Sequence, residues 1–237
     1  VYGVDDGGDE CRQLHLLDLE TGTSRALTTA PHAVHAFGGF RPDGAAIAFA
    51  GNAANGVDFD VYVQALDGSA ATRVMRGQGL RTVKAWSPDG RFLAVVGAAS
   101  TFAQELHLLD VATGALQPVL ARPLGARFEQ VAWLPDGDLL LLTDVDREHL
   151  GVARLHREDG RLAWLVAPDA DIEAMALHEA EARLAVLVNH QGYGTLEVHD
   201  LVGGAAPRRW PSEGVLADLV WQPDGSALWA TLATPTR

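Results

Sequence analysis

Apolar positions along the chain fall in short runs, not at helical spacing. Between 82 and 127 the sequence reads "VKAWS", "PDG", "RFLAVVGA", "QELHLLDV", "ATG" and "LQPVLA". These are runs of strand length, rich in Val, Leu and aromatic residues and divided by turn residues, so they predict four antiparallel strands in one sheet. The same pattern recurs in "GFRPDGAAIAFA" (39–50), "AWLPDGDLLLLT" (132–143) and "VWQPDGSALWAT" (220–231). The prolines stand at 42, 88, 135 and 223, spaced by 46, 47 and 88, the last being twice 44. A degenerate copy is therefore expected near 179, where "ALHEAEARLAVLV" (176–188) keeps the strand pattern without the turn residues. Glycines at 22, 68, 114, 160 and 204 run in step as a second marker.

Two markers with one period of 44 to 46 residues predict an all-β fold, a β-propeller of four-stranded antiparallel blades. Residues 1–237 form a single propeller domain or segment in this reading. Its blades run approximately over 1–35 (partial), 36–81, 82–127, 128–172, 173–215 and 216–237 (partial), so five to six blades are represented. Because the chain opens and closes inside blades and the two ends do not complement each other, it is expected to be a segment of a longer chain.

Within each blade, Pro presets the second position of a type I turn, Asp bonds the local backbone, and Gly takes the left-handed conformation that closes the hairpin. The "PDG" triplet is thus turn chemistry. Two places before each proline stands a bulky residue, Phe40, Trp86, Trp133 or Trp221, with Leu177 in the degenerate copy. Just before it stands Gly39, Ala85, Ala132, Ala176 or the larger Val220. Blades pack face to face, so large beside small predicts that the bulky residues form the core between blades.

Strand alternation places the "PDG" and "TG" turns at one end of the ring. The connections after second and fourth strands gather at the other: "GNAANGVDF" (51–59), "VMRGQGLRT" (74–82), "LARPLGARF" (120–128) and "APDADI" (167–172). They differ from blade to blade, and repeat proteins often bind through the face that carries such variation. Arg81, Arg122 and Arg127 are the candidate contact residues there, placed to meet carboxylates or else to form surface ion pairs.

Charge narrows the partners. Eighteen Lys plus Arg against 31 Asp plus Glu leave a net charge of −13, so polyanions should be repelled and nucleic acid is not an expected partner. Apolar runs such as "LLLL" (139–142) are too short to span a bilayer, and no membrane association is expected. The single cysteine, Cys11, excludes an internal disulfide and a four-thiolate zinc site, and a cytoplasmic location is expected.

Candidate chemistry is sparse. His32 and His35 in "PHAVHAFGG" have the spacing of a possible metal pair, weighed against a loop and channel-lining role; no metal or other cofactor is expected. His15 and His107 share one repeat position, which reads as a solvated strand face. The acidic stretches "NGVDFD" (55–60) and "DVDREH" (144–149) lack the glycine and terminal glutamate of a calcium loop and read as solvated surface. There is no Gly-x-Ser-x-Gly elbow, phosphate loop or His-Glu-x-x-His, so no catalytic residue is assigned.

The segments "DDGGDECRQLHLLDLETGTSRALT", "HAFGGFRPDGAAIAFAGNAANGVDFDVYVQALDG" and "LATPTR" together resemble the propeller of bacterial acylaminoacyl-peptidase-type members of the prolyl oligopeptidase family. The resemblance implies a seven-bladed parent propeller. It also implies a partner, a C-terminal α/β-hydrolase domain carrying a Ser-Asp-His triad, and a non-catalytic role in restricting access to small peptides. None of the triad falls within this sequence. The same single motifs occur in TolB-type binding propellers, and a propeller enzyme with a channel metal is the third reading.

Overall fold

The computed structural model describes residues 1–100, 102–120 and 125–234, and every regular element among them is a strand. The chain forms two compact units, Val1–Gly125 and Ala126–Arg237. In the first, β1 (Tyr2–Val4), β2 (Gln13–Leu17) and β3 (Ser24–Ala26) make a three-stranded sheet. Two four-stranded sheets follow: β4 (His35–Phe40), β5 (Ala46–Gly51), β6 (Asp60–Ala65), β7 (Thr72–Met75), and then β8 (Leu80–Trp86), β9 (Phe92–Ser100), β10 (Ala103–Asp110), β11 (Leu116–Pro118).

The second unit holds β12 (Phe128–Trp133), β13 (Leu139–Thr143), β14 (Gly151–Leu155), β15 (Leu162–Val166), then β16 (Ile172–His178), β17 (Arg183–His190), β18 (Tyr193–Asp200), β19 (Arg208–Pro211). It closes with the two-stranded sheet β20 (Val215–Trp221) and β21 (Leu228–Ala233). Every strand pairs antiparallel with its sequence neighbour, which is the blade of a β-propeller. The degenerate copy at 176–188 is a blade hairpin, β16–β17, as its strand pattern predicts.

The turn chemistry is as expected. Gly44, Gly90, Gly137 and Gly225 have φ of 71°, 69°, 89° and 71°. The amide of each donates to the carbonyl three residues back, as in Gly90 N to Ser87 O at 2.9 Å. The aspartates accept from the amide two residues on: Asp43 from Ala45 at 3.0 Å, Asp89 from Arg91 at 3.0 Å, Asp224 from Ser226 at 2.9 Å. Local bonds hold these exposed carboxyls below the usual range, first among them the Arg41 side chain for Asp43, Ser87 for Asp89 and Ser226 for Asp224. A second aspartate, four residues before the "TG" glycine, does the same work: Asp18, Asp110 and Asp200 each accept two successive backbone amides. In the β12 blade His156 takes that position, and Asp138 binds it at 2.9 Å from a first turn one residue shorter than that of the β8 blade, pairing Trp133 with Leu139 where Trp86 pairs with Leu93.

Blade faces carry the core. Trp86, Leu93, Val95 and Leu109 pack against Ala48, Val61 and Val63 of the preceding blade, and Leu216, Leu219, Trp221 and Leu228 pack against Ala185, Leu187, Ala174 and Ala176. The small residue before each bulky one has a second role: Trp86 Nε1 donates to Gly39 O at 3.2 Å and Trp221 Nε1 to Ala176 O at 3.0 Å. A small side chain lets the indole reach a carbonyl one blade away, and the buried N–H is thereby satisfied. Phe40 departs from the expected core role, at 45% exposed. Its neighbouring sheet, β1–β2–β3, has three strands and no counterpart of the β4 strand on which Trp86 rests, so the ring has no bed.

Candidate functional site

Antiparallel meanders put connections after second and fourth strands at the same end of a unit. At that end in the first unit, residues 52–59 and 76–79 are tied together by two aspartates. Asp58 accepts from Gly79 N at 2.7 Å, and Asp60 accepts from Gly77 N at 2.8 Å while pairing with Arg73 at 3.0 Å. Asp60 is 4% exposed, so the stretch 55–60 is not simply solvated surface; its carboxylate is enclosed because backbone amides and a guanidinium replace its water. Asn52 fixes the start of the loop, accepting from Val34 N at 2.7 Å and donating to Gly56 O at 3.0 Å.

The variation at this end is wider than expected. The β5–β6 and β13–β14 connections span 52–59 and 144–150, but β17–β18 needs only 191–192. A tight hairpin therefore stands where other blades carry longer loops. The stretch 74–82 is mostly strand, with its loop confined to 76–79, because β7 and β8 extend into it.

Arg81 accordingly lies in β8, not in a loop. It stands across from Gly97 of β9, and a Cβ there would collide with the guanidinium, so the glycine leaves the path for the arginine. Arg122 lies outside the described residues. Arg127 is held internally: its Nε and backbone N donate to the two oxygens of Asp144, both at 2.7 Å, and Nη2 stands 3.7 Å from Asp171. This is the ion-pair outcome, and it pins the 144–150 loop.

The two histidines part company. His32 is exposed with φ of 62°, whereas His35 is 3% exposed at the start of β4, its Nδ1 3.2 Å from Arg12 O and its ring 5.7 Å from Phe49. His35 is thus a buried strand residue and not a loop residue, since Gly51 directly opposite leaves room for the ring. Among the described residues no three His, Cys, Asp or Glu side chains group as metal ligands. Nor does any serine hydroxyl there bond a histidine. His107 is also largely enclosed, its side chain 15% exposed, against the expectation of a solvated face.

Burial pushes the His35 imidazole below its ordinary 6.5, with the Arg12 carbonyl opposing. The unfolded chain then binds more protons than the folded one as pH falls through the ordinary value. Stability should fall on acidification from pH 7 through about 6.5 and level off below the folded-state value. Urea unfolding at a series of pH values should show His35→Gln flattening this slope, and an unchanged slope would refute the assignment.

In the second unit the same end holds a cleft of about 490 Å³ lined by His149, Asp169, Asp171, Glu173, Asn189 and His190. Asp171 accepts from Leu150 N at 2.7 Å and Asn189 donates to Glu173 at 2.6 Å, so the acidic walls are partly committed to holding the loops. Among the described residues, the loop end of each unit is preorganised surface of acidic character.

No protein-family profile matches the sequence, and no curated protein matches it. Solved structures do. TolB from Acinetobacter baumannii superposes with a TM-score of 0.64 at 18% identity, over 88% of this chain and 51% of that one. One of two prolyl endopeptidases analysed for the role of inter-domain dynamics in catalysis and specificity gives 0.72 at 15%, over 97% and 40%. A putative TolB from Agrobacterium tumefaciens gives 0.68 at 16%, over 95% and 84%. The chain spans about half of the first structure's length and two fifths of the second's. At these identities the likeness establishes the β-propeller fold of TolB-like and prolyl-endopeptidase structures.

Proposed function

We propose that this chain is a non-catalytic propeller that gates access of small peptides to an α/β-hydrolase domain of the same parent chain, in an oligopeptide-cleaving serine peptidase of the acylaminoacyl-peptidase kind. The observation that carries this reading is the contrast between its ends. Short turns close one end of each unit, while blade-specific loops, stapled by Asp58 and Asp60 in the first unit and by Asp144 in the second, form the other, which suits surfaces seated against a partner domain. The prolyl-endopeptidase likeness over 97% of the chain supports it. A stand-alone TolB-like binding propeller is the second reading, favoured by the likeness that covers 84% of the Agrobacterium protein. In both, the loop end does the binding; a cytoplasmic location goes with the first.

Reading the gene past the codon for Arg237 separates them. A hydrolase domain with a Gly-x-Ser-x-Gly elbow supports gating, and its absence sinks that reading. In the parent enzyme, Arg81→Glu is expected to relax the preference for short peptides while leaving hydrolysis of a minimal ester substrate unchanged. Unaltered size selection would show that Arg81 takes no part.

A further inference from the structure

The β5–β6 loop contains Asn55 followed by Gly56, the one asparagine of the chain that precedes a glycine. The backbone nitrogen of the following residue can attack an asparagine side-chain amide, and glycine, with no Cβ, leaves that approach open. Both residues are exposed, and a Cβ built on Gly56 would meet nothing within 4 Å, so solvent reaches the reacting atoms.

The loop also prepares the carbon to be attacked. Asn55 Oδ1 accepts from Val57 N at 2.9 Å and from Asp58 N at 2.8 Å. Attack at Cγ drives negative charge onto that oxygen, where two amides already point. The leaving nitrogen, Nδ2, donates to Asp58 Oδ2 at 2.8 Å. The attacking nitrogen is held by one bond, from Gly56 N to Asn52 O at 2.7 Å, which a local opening of this exposed loop breaks. Asn52 and Asn189 are placed differently. Asn52 precedes Ala53, is 8% exposed and has both ends of its side chain bonded, while Asn189 precedes His190 and lies paired in β17.

We propose that Asn55 is a self-modification site whose deamidation unlocks the loop end of the first unit. Gly56 N gives up its proton to hydroxide and bonds to Asn55 Cγ, the Cγ–Nδ2 bond breaks, and ammonia leaves with a proton taken from water, giving a five-membered succinimide. Water then opens the ring at either carbonyl, so position 55 becomes aspartate or isoaspartate. The sum is a water consumed and an ammonia released, with nothing oxidised or reduced. Either product puts a carboxylate where Nδ2 had donated to Asp58, and carboxylates at that separation repel. Asp58 accepts from Gly79 N at 2.7 Å, so its displacement loosens the tie between 52–59 and 76–79. The proposal does not rest on the gating reading, because its readouts are covalent and local.

The test keeps the chain in warm, mildly alkaline buffer and maps its peptides by mass spectrometry for replacement of NH2 by OH and for the isoaspartate isomer. Asn55 is expected to convert at least about tenfold faster than Asn52 or Asn189, a barrier difference of about 1.4 kcal/mol. Gly56→Ala should slow it by about the same factor, because the added Cβ crowds the attacking nitrogen and meets nothing else. Circular dichroism checks that this variant, at a φ of 78°, keeps the fold. Separately, Asn55→Asp copies the charge of the product and should raise hydrogen exchange of the Gly79 amide several-fold, whereas the uncharged Asn55→Ser should raise it less. Equal rates at Asn55, Asn52 and Asn189, or indifference to Gly56→Ala, would overturn the site. Unchanged Gly79 exchange in Asn55→Asp would overturn the unlocking.

Discussion

Replacing Trp86 by Ala is expected to cost the first unit about 3–5 kcal/mol, the usual range for emptying a buried large aromatic site. Trp86 is 8% exposed, rests on the preceding blade among Ala48, Val61 and Val63, and satisfies its indole with Gly39 O. Trp86→Phe keeps most of the apolar contact but leaves that carbonyl without its donor, so about 1 kcal/mol is expected. Phe40 occupies the same repeat position at 45% exposure, and Phe40→Ala should cost about 1 kcal/mol or less. Urea unfolding followed by circular dichroism checks all three. Equal losses for Trp86→Ala and Phe40→Ala would show that repeat position, not the neighbouring blade, sets the energy.

Gly225→Ala is expected to be far more damaging than Gly44→Ala, although both glycines close the same turn with φ of 71°. A Cβ on Gly44 meets nothing within 4 Å, so only the left-handed backbone penalty of about 1–2 kcal/mol applies. A Cβ on Gly225 would lie 2.7 Å from His178 Cε1 and 3.0 Å from Glu181 Oε2, and His178 is buried with Nε2 3.3 Å from Pro223 O. Overpacking there adds about 1–3 kcal/mol. The double variant His178→Ala with Gly225→Ala should recover part of that increment. If the two losses are equal, or His178→Ala gives no relief, the joint between these blades is looser than the contacts indicate.

Much of the fold was legible in the residues themselves. Pro-Asp-Gly and the paired glycine marker are local devices whose conformational preferences act over a few residues, so they reveal turns, strand order and period without tertiary information. The alternation of small and bulky residues at 85–86 and 176–177 likewise pointed to blade faces. The repeated aspartates at 18, 110 and 200 were also in plain sight, and their fixed offset from the "TG" glycine was the missed signal.

What only the tertiary structure decided is which neighbour each side chain meets. Phe40 and Trp86 share a register, yet one is half exposed because burial depends on the adjoining sheet. His32 and His35 share a loop motif, yet only the second turns inward, where Gly51 on the next strand leaves space. Asp60 and Asp144 look like loop acids until Gly77, Arg73 and Arg127 arrive from segments 13 to 17 residues distant. The sequence by itself determined the turns, the strand period and the β-propeller class, because these rest on local backbone preference and alternation. Burial, ion pairing and the shape of the clefts were decided by the tertiary structure, because they depend on contacts between residues far apart in the chain.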